Sequence, residues 1–388
     1  MKIIYRIALA ELQSLFYSPV AWLILIVFTI QCSFAFTGVV DANVVRKAMG
    51  YGVGNLTLDI YAGLHGFFKT LQEYLYLYIP LLTMGLMSGE LSSGSIKLLY
   101  SSPVRNSQII LGKYLSMLVY GLVLIGIICV YVIYSAFVVK QLDVSMVLTG
   151  LLGIYLLICA YAAIGLFMSS ITSYQVVAAM GTLAIFALLN VIKGIGQNID
   201  FVREITYWLS INGRCNEFVR GMICSEDLLY FLIVIGLFLM LSIMVILSGK
   251  RKLSKSMAFT RYTGVIVLAM LLGYVTSRPG LQCSYDASSI KLNSLNPVSQ
   301  EIMEKMEGGL TITTYVNLLE GNFYRGAPSE RNSDANRFKK FIRFKPKIQM
   351  NYVYYYADAG NEVLEDRFPD LNTQQRAWKM AVMEDLDI

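Results

Sequence analysis

Charge is the scarcest property of this chain. Only 15% of its 388 residues are Asp, Glu, Lys or Arg and 56% are apolar, where an ordinary soluble domain carries about 25% charged residues. The shortage is concentrated in seven apolar runs, at about 19–40, 74–89, 114–139, 145–168, 175–192, 228–248 and 262–277, none of which contains Asp, Glu, Lys, Arg or His. A bilayer-spanning helix needs about 17–25 apolar residues. The chain therefore reads as an α-helical polytopic membrane protein, its second and last runs being short. Proton relays and ion-coupled carriers keep ionisable groups inside their spans, and these runs offer none. The run from Pro19 is too long for a signal-peptide core and lacks a small-x-small cleavage site, so it reads as a first span.

Histidine and paired cysteine are missing in the same way. His65 is the one histidine, which leaves no set for a zinc enzyme or a Ser-His-Asp hydrolase. The six cysteines include no CxxC pair. Cys32, Cys129 and Cys159 sit in apolar runs as small hydrophobes. Cys215 and Cys224 share one polar loop, where a bridge is open to them if that loop is extracytoplasmic. A phosphate-binding lysine is absent as well. Gly89-Glu90-Leu91-Ser92-Ser93-Gly94-Ser95 has glycine spacing like that of a phosphate loop, but no Lys follows Gly94. The reading is of a chain without catalytic, cofactor or metal residues.

What charge there is lies in the loops. Residues 1–277 carry 18 Lys and Arg against 11 Asp and Glu, and residues 278–388 carry 14 against 15. The basic excess thus belongs to the membrane part, where it marks topology and lipid contact rather than nucleic-acid binding. GKRKLSKSMAFTR, after the sixth run, has five bases and no acid, and reads as cytoplasmic. Counting crossings backwards puts the N-terminus and the Ser88–Lys113 loop inside, with loops 41–73 and 193–227 outside. A seventh span at 262–277 sends residues 278–388 outside.

Other segments have their own patterns. KIIYRIALAELQSLFYSP places Ile4, Ala8, Leu12 and Leu15 on one helical face, so residues 1–18 read as an interfacial amphipathic helix turned into the bilayer at Ser18-Pro19. In loop 193–227 apolar residues recur at helical spacing, with Trp208 and Phe218 among them, which predicts short helices dipping into the outer interface. From Arg278 the order is helix, strand (Leu310–Leu319), helix, strand (Lys347–Tyr356), a βαβ unit of an α/β domain. A complete α/β domain needs more strands, so this one reads as partial or truncated.

Between the second and third spans lies SGELSSGSIKLLYSSPVRNSQIILGKY. Leu91, Ser95, Leu98, Leu99 and Ser102 can share one face of a short helix that Pro103 ends, held between two spans and shaped to press on a partner. The bland alternative is an interfacial loop helix.

The residues around this segment carry a resemblance. Ile79-Pro80-Leu81-Leu82-Thr83-Met84, Glu90, Gly94-Ser95, Leu98-Leu99, Ser102-Pro103-Val104 and Gly112-Lys113 follow one another in that order. Glu11-Leu12 and Ser18-Pro19 precede them; Phe218, Arg220-Gly221 and Asp227-Leu228-Tyr230-Phe231 follow. This pattern resembles the ABC-2 type ABC transporter permeases. Beyond Arg278, YDASSIKLNSLNPVSQEIMEKMEGGLTITTYVNLL resembles the auxiliary domain of the gliding-motility-associated ABC system, in which permease and auxiliary subunit can be fused.

The resemblance implies a six-span permease core over 19–249, a basic cytoplasmic loop at 250–261, the seventh span and an extracytoplasmic auxiliary domain over 278–388. It implies a plasma-membrane transport unit, a homodimer or paired permease, whose ATP is hydrolysed by a separate ABC ATPase subunit. The coupling surface then falls on Glu90, Leu91, Gly94, Lys97, Leu98, Leu99 and Pro103, with Glu90 meeting a base of the ATPase. An outer re-entrant segment falls on Trp208, Phe218, Arg220 and Gly221. Two positions depart from the pattern: Gly85 stands where the family usually has a base, and Lys97 where it commonly has an acid. The alternative is a non-transporting membrane scaffold that presents the C-terminal domain.

Overall fold

The computed structural model describes residues 2–51, 54–63, 65–101, 103–192, 199–250, 255–278, 282–306, 308–344, 348–358, 360–384 and 386. They form two compact units, one of residues 1–188 with 211–290, the other of 189–210 with 291–388.

Along the chain, unit 1 begins with α1 (Lys2–Tyr17) and α2 (Pro19–Ala48). Ser18 between them is extended (φ −76°, ψ 126°), as the residue before a proline prefers, and Pro19 opens α2 where its missing N–H costs nothing. Then come α3 (Leu56–Tyr61), α4 (Phe67–Thr83), α5 (Gly85–Ser93), α6 (Ile96–Ser101), α7 (Asn106–Val138), α8 (Val144–Ile171) and α9 (Gln175–Val191). Helix α10 (Asp200–Leu209) belongs to unit 2. Unit 1 resumes with α11 (Ile211–Val219), β1 (Met222–Cys224), α12 (Ser225–Lys250), α13 (Lys255–Thr276) and β2 (Ser284–Asp286).

Five of these helices, α2, α7, α8, α12 and α13, are long and apolar enough to cross a membrane; α9 is apolar but shorter. The second expected span, 74–89, is not one helix. It is divided at Met84 into α4 and α5.

Successive long helices of unit 1 run in alternate directions. At one end, Asp143 caps α8 by accepting from Met146 N (3.1 Å), donates its own N–H to Thr57 (3.1 Å), and accepts from Ser289 N (2.6 Å). Tyr61 donates to Ser135 at that end (2.7 Å). There β1 pairs antiparallel with β2, Met222 opposite Asp286, so α12 and α13 leave and return to one side of the bundle. At the other end, Lys113 of α7 meets Glu11 of α1 and Glu90 of α5. Helix α8 is enclosed by α4, α5, α7, α11 and α12, whereas α13 packs on α12.

Unit 2 contains α14 (Pro297–Lys305), β3 (Leu310–Asn317), α15 (Arg331–Arg337), α16 (Lys339–Phe344), β4 (Ile348–Tyr355), α17 (Glu362–Arg367) and α18 (Thr373–Met383). Strands β3 and β4 pair in parallel from Leu310↔Ile348 to Asn317↔Tyr355, with α15 and α16 as the connection. A core of Leu318, Leu319, Leu364, Ala377, Met380 and Ala381 forms beyond the strand ends, against α17 and α18.

Candidate partner-docking site

At the Lys113 end, α1 lies along α7. Gly112 permits this approach: a Cβ there would sit 2.7 Å from the Ile7 side chain. One residue on, Lys113 is 2% exposed, and its ammonium lies 2.5 Å from Glu11 Oε1 and 2.7 Å from Glu90 Oε1. A buried ammonium without partners loses its hydration at a cost of several kcal/mol, and the two carboxylates offset that cost. Three elements, α1, α5 and α7, thereby meet at one cation. The other Glu90 oxygen, Oε2, is buried and has no hydrogen-bond partner among the described residues.

Just before Glu90 the helix breaks. Pro80 inside α4 has no N–H to give. Thr83 donates to Ile79 O (2.9 Å). Ser169 of α8 then takes over at the break, accepting from Met87 N (2.9 Å) and Ser88 N (3.0 Å) and donating to Met84 O (2.8 Å). Ser88 also donates to Met84 O. Helix α8 reaches this point because Gly165 has no side chain: a Cβ would lie 2.0 Å from Thr83 Oγ1. The break is therefore a formed joint, hydrogen-bonded through a neighbouring helix.

Beyond it, the expected single helix with Leu91 and Leu98 on one face is replaced by two. Gly94 adopts φ +73° and ends α5, a conformation that strains any side chain. Leu91 therefore lies on α5 and Leu98 on α6. Gly94 serves here as a turn; a Cβ on it would meet nothing within 4 Å. Ile96 is buried, while Lys97, Leu98, Ser101 and Pro103 are exposed, Leu98 at 74%. The side chain of Leu99 and all of Ser102 lie outside the described residues. Glu90, expected to reach a base on a partner, is turned inward to Lys113. Gly85 is at the joint, where a Cβ would lie 3.8 Å from the Gln175 amide nitrogen.

The residues expected in one outer re-entrant segment fall in two different units. Trp208 belongs to unit 2, and Phe218, Arg220 and Gly221 to unit 1. Phe218 is fully buried, packing beside Gly153 of α8 and Phe231, so it is core rather than interface. Arg220 is exposed, and Gly221 (φ +86°) turns the chain into β1, its carbonyl accepting from Ala287 N (2.8 Å). Cys215, on α11, and Cys224, on β1 opposite Ser284, are both buried, and no disulfide joins them in the structure. Burial pushes the Cys215 thiol well above its ordinary pKa, which keeps it protonated and unreactive.

Sequence reading missed a second buried cluster on this side. Arg214 of α11 is 4% exposed and pairs with Asp227 (2.7 Å) and Glu226 at the start of α12, with the Tyr230 ring 5.5 Å from its guanidinium. Glu226 also accepts from Ser277 and Gln282, which ties the segment after α13 to the same point. The signal available was the pair of adjacent acids, Glu226 and Asp227, directly before a span. Lys113 and Glu11 were likewise visible, but as unconnected motif residues.

A bundle of alternating apolar helices, with its ionic groups gathered at the two ends, defines a multi-pass membrane protein. More specifically, the family described as ABC-2 family transporter protein matches residues 5–199, just over half of the chain, and the protein belongs to that family. The match covers α1 to α9 and so includes the Lys113 cluster and the α4–α5 joint. Members of this family are transmembrane subunits that pair with an ABC ATPase. No curated protein matches the chain.

Proposed function

We propose that this chain is the permease subunit of an ABC transporter and that α5–α6 is where the ATPase engages it. The observation that carries this reading is the joint between α4 and α5. An exposed ledge is formed by Lys97 and Leu98 on α6 and by Pro103 just after it, and the neighbouring α5 is bonded to α7 and α1 through Lys113 and to α8 through Ser169. Push on the ledge, and three helices receive the force. Glu90 then acts as part of the linkage rather than as the docking residue, and Lys97 is the charge offered to the partner.

Orientation follows from charge. The Lys113 end gathers Lys2, Arg6, Lys97, Arg105, Lys250 and Lys255 against few acids, while the Asp143 end mixes both signs. By the positive-inside rule the Lys113 end is cytoplasmic, on the side where ATP is available. Seven crossings result if α4–α5 and α9 both span, which puts unit 2 outside as an α/β auxiliary domain. The parallel β3–β4 pair on the same chain as the permease supports the gliding-motility-associated fusion subgroup. A homodimer would supply the two permease halves, and a pathway without ionisable groups suits ATP-driven export.

The test is co-purification of the full chain with the ABC ATPase encoded beside its gene. Leu98→Asp with Lys97→Glu should abolish the complex while detergent-solubilised protein keeps its melting temperature. An undiminished complex would sink the assignment of this surface. If no such ATPase is encoded or binds the unaltered chain, the scaffold reading gains.

A further inference from the structure

The charge around Lys113 does not balance. A single ammonium faces two carboxylates, those of Glu11 and Glu90, and among the described residues no other base pairs with either acid. One negative charge is left over. Glu11 engages Lys113 through Oε1 and is 23% exposed. It also borders a cavity of about 280 Å3 that lies between α1, the start of α2, the α4–α5 joint and the start of α9.

Polar groups without partners gather at this cavity. Ser14 of α1, Ser18 at the turn into α2 and Gln175 at the start of α9 line it together with Glu11. Among the described residues, the side chains of Ser14, Ser18 and Gln175 make no hydrogen bond. The Gln175 amide sits over two glycines: a Cβ on Gly85 would lie 3.8 Å from its nitrogen, and one on Gly89 3.5 Å. The rest of the wall is apolar, with Leu15, Val20, Leu81 and Leu86 in it, and Val20 and Leu81 are exposed. Pro19 opens a helix long and apolar enough to cross a membrane, so Ser14 and Ser18 stand at the level of lipid headgroups and the apolar wall at that of the chains.

We propose that this cavity binds one phospholipid with an ethanolamine headgroup from the adjoining leaflet. Its ammonium donates to Glu11 and balances the spare charge. Its phosphate accepts from Ser14, Ser18 and the Gln175 amide, and its first methylenes cover Val20 and Leu81. A choline headgroup has no N–H to donate, and an anionic headgroup would add to the excess negative charge. Small-molecule sites enclose about 300–1,000 Å3, so a cavity of about 280 Å3 suits a headgroup whose chains stay in the bilayer. The inference rests on the chain being a membrane protein, and it holds whichever partner α5–α6 engages.

The experiment titrates the full chain, purified in detergent, with short-chain phosphatidylethanolamine, phosphatidylcholine and phosphatidylglycerol, and with water-soluble glycerophosphoethanolamine. Native mass spectrometry counts the molecules retained. One phosphatidylethanolamine per chain should be held about tenfold more tightly than the other two lipids, the worth of a charge-assisted hydrogen bond. Ser14→Ala with Gln175→Leu should weaken its retention about tenfold and leave the melting temperature in lipid-free detergent unchanged. Glu11→Gln, which leaves Lys113 balanced by Glu90, should erase the preference for ethanolamine over choline. Equal retention of the three lipids would overturn the proposal, as would a preference that survives Glu11→Gln. Glycerophosphoethanolamine held as tightly as the lipid would also contradict it, because the apolar wall would then contribute nothing.

Discussion

Lys113 is the residue on which the arrangement of α1, α5 and α7 depends. Its ammonium pairs with two carboxylates contributed by α1 and α5, both of which precede it in sequence. Lys113→Met leaves Glu11 and Glu90 facing each other without a cation. Breaking a buried pair in this way costs about 3–5 kcal/mol, and the partial exposure of both acids, 23% each, places the expected loss at about 3 kcal/mol. A thermal unfolding series in one detergent would measure it, and adding Glu11→Gln and Glu90→Gln to Lys113→Met should recover most of the loss. Failure of that rescue would mean the lysine acts by packing alone. Ser169→Ala removes the acceptor of Met87 and Ser88 and should cost about 1–2 kcal/mol. Neither partnership was legible in the sequence. Glu11 and Lys113 are 102 positions apart, and Ser88 and Ser169 are 81 apart; single-chain patterning carries no information on pairs so distant.

At the level of elements, apolar runs located the helices but not their breaks. Hydropathy reports burial in lipid or protein; it is blind to hydrogen bonds that change partners at Met84. Pro80 and the Gly85–Gly94 stretch were the local signals of a joint, and they were absorbed into one span and one amphipathic helix. Conversely, the Ser18-Pro19 break and the β3 and β4 strands follow local rules, proline sterics and β-branched alternation, and the structure has them at those positions. The joint makes a sharp prediction about close approach. Gly165→Ala drives a methyl into Thr83 and should lower the melting temperature markedly, whereas Gly264→Ala, with nothing within 4 Å of its Cβ, should leave it unchanged. Gly94→Ala should cost about 1 kcal/mol from its positive φ and change ATPase affinity more than stability, because the ledge on α6 would be re-aimed.

For the molecule as a whole, the account requires that the two ends of unit 1 face opposite compartments. Single cysteines at the exposed Lys97 and Lys140 should react with an impermeant thiol reagent from opposite sides, Lys97→Cys from the cytoplasm and Lys140→Cys from outside. Reversed labelling would move the docking surface away from ATP. The claim that the ledge meets an ABC ATPase is tested most directly by a photo-crosslinking amino acid placed at Lys97 in living cells, with the same probe at Lys140 as control. The account predicts that the Lys97 probe captures a chain bearing a GxxxxGK[ST] phosphate loop and that the Lys140 probe does not. Capture of no such chain from Lys97, or equal capture from both positions, would contradict it.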